Sequence, residues 1–189
     1  MKKFLKYQHG AGLVEFSITA VIFLIMIGML YVAISSNRVV ISEGQDKIKL
    51  QQETRKIIDS MERELKSSRS TTVMISPEGD SINFQVPVDW DLDEDIIDNS
   101  GDIEWGADEN LNWSMTYLLG GTDNEQVIKR VFDASGSQQG ADTVIANDIN
   151  QFQITRDENK VLITITAQKT ALDRREIQFT AGTEVLLRN

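Results

Sequence analysis

Leu13-Val14-Glu15-Phe16-Ser17-Ile18-Thr19-Ala20-Val21-Ile22-Phe23-Leu24-Ile25-Met26-Ile27-Gly28-Met29-Leu30-Tyr31-Val32-Ala33-Ile34 is the stretch on which the fold turns. Its 22 residues hold a single charge, Glu15. At about 1.5 Å per residue they reach about 33 Å as a helix, enough for a hydrocarbon core of about 30 Å. Lys2, Lys3 and Lys6 precede it, and no acid does. That bias predicts a cytoplasmic N-terminus, with everything after Ile34 on the far side of a cytoplasmic membrane. A secretory signal has a shorter apolar run of about 7–15 residues before its cleavage site. Here Ser35-Ser36-Asn37-Arg38 follows and helical pattern resumes, which predicts a retained, single-pass helix.

Outward from that stretch, composition narrows the function. The 189 residues include 19 Lys+Arg against 29 Asp+Glu, a net charge of −10. Nucleic-acid binding is not expected, because tracking phosphates needs clustered cations. The chain has no cysteine and one histidine, His9, which removes disulfide scaffolds, thiolate chemistry and histidine-rich metal sites. No enzyme activity, cofactor, metal or catalytic residue is expected.

Past the apolar run, a pattern without proline continues to about Ser70. Leu50, Ile57, Met61 and Leu65, with Ile58 beside them, form one stripe at helical spacing. Ile41 and Ile48 extend a similar repeat. Arg55–Asp59, Asp59–Arg63 and Glu62–Lys66 stand at i,i+4 on the opposite face. From residue 72 the period changes to two. Strands are predicted over 72–75, 81–86, 115–119, 127–132, 152–156, 161–168 and 175–187, with Gly182 marking a bulge or bend. Pro77-Glu78-Gly79-Asp80, residues 120–124 and residues 157–159 read as turns. The expected fold is α+β: a long N-terminal helix, its first half in the membrane, packed on an antiparallel sheet. The expected divisions are residues 1–10, 11–36, 37–70 and 71–189.

The acidity is local. Between Glu78 and Glu125 there are 14 acids and no Lys or Arg. Asp89 to Asp95 invites a calcium-loop reading, but an EF-hand starting at Asp89 needs Gly sixth and Glu twelfth, where Glu94 and Ser100 stand. A solvated acidic loop is the plainer reading. Trp90, Trp105 and Trp113 read as core or interface anchors.

Gly10-Ala11-Gly12-Leu13-Val14-Glu15-Phe16 behind a basic leader resembles the class III signal of type IV prepilins and pseudopilins. The resemblance implies cleavage after Gly10 and N-methylation of Ala11. Glu15 becomes the fifth mature residue and the assembly charge. The family most often begins its mature chain with phenylalanine or methionine, where Ala11 stands here. The Gly-x-x-Val-Glu-Phe string also resembles tight-adherence pilin-like proteins. Val127 to Val131 and Thr143 to Ile154 look like the middle of J-type minor pseudopilins of type II secretion, and of W-type minor pilins. Glu184 to Asn189 is similar to their close. The implied role is a minor pilin-like subunit that helps initiate or cap a filament, finally at its tip. The implied partners are a prepilin peptidase, other minor subunits, the major subunit, an inner-membrane assembly platform and the bilayer. A major filament subunit, or a binding module or enzyme tethered by its first helix, are the alternatives.

Overall fold

The structure, a computed structural model, describes residues 8–89, 96–98, 100–171 and 174–188. Residues 1–7 of the expected leader, Trp90, the acidic run from Asp91 to Asp95 and Asn189 lie outside the described residues. The chain divides into two compact units, Met1–Gly44 and Gln45–Asn189.

One helix, α1 (Gln8–Ser67), accounts for the described part of the first unit and the start of the second. In the second unit Leu50, Ile57, Met61 and Leu65 are fully buried, as the stripe predicts. Ile41 and Ile48 do not extend it; they are 60% and 56% exposed. The reason is angular. At about 100° per residue Ile48 points about 200° away from Leu50, and Ile41 shares the direction of Ile48. Thr54 continues the buried face because its Oγ1 donates to Leu50 O at 2.9 Å and carries no unmet polar group inside. Of the three expected ion pairs only Glu62–Lys66 closes, and Lys56 pairs instead with Glu53. The helix stops where serine hydroxyls take its last carbonyls. Ser67 Oγ donates to Glu64 O and Ser68 Oγ to Leu65 O.

Among the described residues three antiparallel sheets follow. The largest orders β1 (Met74–Ile75), β2 (Ser81–Phe84), β6 (Ser114–Gly120), β7 (Gln126–Phe132) and β8 (Gln138–Ala146). A small one holds β3 (Val86–Pro87), β4 (Trp105–Ala107) and β5 (Asn110–Leu111). The third orders β11 (Glu176–Leu186), β10 (Lys160–Thr170) and β9 (Ile149–Asp157). The α+β expectation stands. The Ser76-to-Asp80 turn is closed by Gly79 N–H donating to Ser76 O, with Gly79 at φ 74°. A Cβ on Gly79 would sit 2.8 Å from Ile154 O, and Gly79 O accepts from Ile154 N–H, so the turn is also the seam between two sheets.

Several expectations are corrected. The strand over 81–86 is two strands that part at Gln85, whose Nε2 donates to Trp113 O. β8 has no sequence signal, because Gly140, Ala141 and Asp142 break its alternation and most of it is exposed. Gly182 marks no bulge. It pairs with Thr164 in an unbroken register, and an added Cβ would stand 3.2 Å from Ile163 O, so it serves close approach to β10. The register shift in this sheet lies between Thr166 and Ala167, on the β9 side. Trp113 packs against the core and Trp105 is half-buried in β4.

Candidate functional site

The apolar half of α1 is an unbroken helix because its residues lack proline and its two early hydroxyls are satisfied locally. Ser17 Oγ donates to Leu13 O and Thr19 Oγ1 to Glu15 O, each at 2.8 Å. Such i−4 bonds let polar side chains sit in an apolar helix without an outside partner. The large apolar side chains around them are unburied, from 48% exposed at Ile27 to 76% at Phe16. Leaving such a side chain in water forgoes about 1.5–3 kcal/mol relative to burial. The helix has the length and composition to cross a membrane.

Glu15 is the exception on this surface. It is exposed, and among the described residues no cation lies within ion-pair distance. Gly10, Ala11 and Glu15 all lie on α1, Glu15 about 7.5 Å along the axis from Gly10. The structure describes the backbone of Gly10 and Ala11 and not the Ala11 side chain. A lone carboxylate on an apolar helix can bind a cation, snorkel to an interface, or pair with an amine when surrounded by hydrocarbon.

The second unit holds groups that the sequence did not single out. Tyr117 on β6 donates to Glu64 Oε2 at 2.8 Å and shares a 2.8 Å hydrogen bond with Ser60 Oγ. Lys129 on β7 donates to Glu64 Oε1 at 2.8 Å and lies 5.7 Å from the centre of the Tyr117 ring. Phe84 stacks on Tyr117, the ring centres 6.1 Å apart and the planes 3° from parallel. Burial, and then the Glu64 charge, hold the Tyr117 phenol well above its ordinary range, so it stays a neutral donor. This network ties the helix to the sheet. Ser60 and Glu64 share a helix face by spacing, but only the fold brings Tyr117 and Lys129 to them.

A polar cleft of about 460 Å³ opens where the β6–β7 and β8–β9 connections meet the end of β10. Asp123, Glu125, Asp148, Asn150, Gln168 and Lys169 contribute to its wall. Lys169 donates to Asp46 Oδ1 at 2.6 Å, and that hydrogen bond raises its pKa. Lys49 lies 3.4 Å from Asp148. The lining offers no imidazole or thiol, and of its three acids only Asp148 has a lysine, Lys49, within ion-pair distance among the described residues. Among the described residues no group of three or more potential ligands could hold a metal ion. Of the acidic run considered for calcium, only Asp89 is described.

Neither a family model, nor a curated protein, nor a solved structure matches this chain.

Proposed function

We propose that the chain is a non-catalytic minor pilin or pseudopilin, a subunit that helps initiate or cap a type IV pilus-like or type II secretion filament. The observation that carries this reading is Glu15. It is a lone carboxylate on an otherwise apolar helix, five places beyond Gly10 and behind three lysines. Holding it at mid-membrane depth costs about 2.5–3.5 kcal/mol. A carboxylate–ammonium pair at about 4 Å, with an effective dielectric near 20, returns about 4 kcal/mol before desolvation. The difference favours Glu15 where a neighbouring subunit brings an amine, such as a mature N-terminus. The amphipathic half of α1, seated on an antiparallel sheet, is the companion feature that supports the reading. The acids between Glu78 and Glu125 favour a tip position over a shaft, since stacked copies would repel within a Debye length of about 8 Å. The partners are those of such an assembly: a prepilin peptidase, sister subunits and an inner-membrane platform.

Intact-mass analysis of the membrane-extracted protein tests the reading. The expected chain begins at an N-methylated Ala11. A chain that keeps residues 1–10 marks a tethered module instead. Glu15→Ala is expected to leave the cut unchanged and to abolish cross-linking to sister subunits; unchanged cross-linking would reduce Glu15 to an interfacial residue.

A further inference from the structure

We infer that the free edge of β11 is a docking site for an extended segment of a different protein chain, which adds to the β9–β10–β11 sheet as a fourth strand. Leu187 N–H donates to Asn159 O on the β10 side at 2.8 Å, and the next amide, Arg188 N–H, donates to Ser68 O on the other side at 3.2 Å. Stepping back by twos, the amides and carbonyls of Glu176, Gln178, Thr180, Gly182, Glu184 and Leu186 face away from β10. Ser70 N–H closes the far end by donating to Arg188 O, in a parallel bridge of Arg69 with Arg188. An incoming strand therefore covers residues 176–186 and stops before Arg188.

Among the described residues the other sheet edges carry devices that discourage such pairing, β3 and β5 by being two residues long. β1 is two residues long. The β8 ladder is interrupted by two register shifts, with the Arg130–Asp142 ion pair beside them. The outer side of β9 is taken, since Ile149 N–H donates to Glu125 O and Ile154 N–H to Gly79 O. β11 carries a cross-strand ion pair too, Lys160–Glu184, but the strand is neither short nor shifted in register. Its eleven residues contain no proline and keep one register with β10 throughout. Ile177 and Phe179, on its core face, are only partly buried against the core.

The occupant's chemistry follows from the two faces of β11. Apolar residues on one side of the strand complete the cover over Ile177 and Phe179, and polar ones face solvent on the other, with a basic residue favoured beside Glu176. A second copy does not suit the antiparallel register. Asp46 meets Lys169, opposite Ile177, while Ser68 and Ser70 meet Arg188, so this part of α1 runs in the same sense as β11. A two-fold antiparallel pairing would put the two Gln45 ends at opposite ends of the joined sheet, whereas both chains would have to enter one bilayer; this exclusion rests on the membrane reading.

Residue-resolved hydrogen exchange on the full chain tests the inference, alone in phosphatidylethanolamine–phosphatidylglycerol vesicles and in native membranes. The six outward amides are expected to exchange at least about tenfold more slowly in native membranes, while the alternate amides bonded to β10 stay slow in both. Thr180→Pro removes one outward donor and spares the backbone bonds to β10, though it also removes the Thr166–Thr180 hydroxyl contact, and should lose the slowing at Gln178 and Gly182. Equal exchange in both settings, or slowing that survives Thr180→Pro, overturns the inference. So does a disulfide-linked homodimer of Ala181→Cys in this cysteine-free chain, because the cover would then be a second copy. Intact mass of the same native sample separates the two proposals: a chain cut after Gly10 with fast outward amides defeats only the edge, and an uncut chain with slow ones defeats only the pilin reading.

Discussion

The two halves of α1 have the same backbone and opposite surfaces. Between Leu13 and Ile34 apolar side chains point in every direction, and those large enough to matter are at least 48% exposed. Between Leu50 and Leu65 they occupy one stripe, and Leu50, Ile57, Met61 and Leu65 are fully buried. A helix that is apolar all round needs a non-aqueous solvent, whereas one with a single stripe needs a single partner, which here is the sheet. The halves differ both in how many apolar residues they hold, 18 of 22 against 5 of 16, and in how far around the axis those residues spread.

The largest expected effects test that contrast directly. Met61→Ala should cost the second unit about 2–5 kcal/mol, because it empties a filled site in the core. Ile27→Ala, on the same helix, should leave the unfolding of that unit within about 0.5 kcal/mol of the parent. Denaturant unfolding in detergent, followed by tryptophan fluorescence, measures both; equal losses would erase the distinction. Ile22→Lys should weaken membrane insertion by about 2.5–3.5 kcal/mol, read as a larger share released by alkaline carbonate. An unchanged share would mean that this half does not sit in hydrocarbon.

The seam between helix and sheet gives the next effect. Tyr117→Phe should cost about 1–3 kcal/mol, since Glu64 and Ser60 each lose a partner. It should also change the alkaline limb of stability. The folded phenol titrates above its unfolded value of 10.0, so its contribution is complete below pH 10 and is lost as pH rises beyond it. The parent should therefore destabilise more steeply above pH 10 than Tyr117→Phe, and parallel curves would show that the phenol is not held by burial. The smallest effect belongs to the exposed side of the helix. Lys66→Ala breaks the Glu62 pair and should cost only a few tenths of a kcal/mol.

Much of the candidate site can be read in one dimension. The apolar run, its single carboxylate and the lysines ahead of it are consecutive, and helix geometry converts that spacing into distance without help from the rest of the chain. The stripe from Leu50 to Leu65 and the alternation along β10 are equally local. β8 is different, since its strand is made by the neighbour β7 and not by its own pattern. The same is true of β4 and β5, too short to show any period. The Ile41 and Ile48 repeat misleads because it has the correct spacing about the wrong direction.

Order along the chain determined a helix of this length, an abrupt change to strands near residue 72, and where charge is and is not found. Those are properties of neighbours, set by backbone geometry and by the cost of placing apolar or charged groups within a few residues of one another. Only the tertiary structure decided which face of Gly182 meets β10, which partners Glu64 takes from β6 and β7, and which sheet edges are covered. Each depends on groups that are tens of residues apart in sequence and become neighbours only when the core closes. Burial then gives those contacts their strength, by removing the water that would otherwise compete for every donor and acceptor.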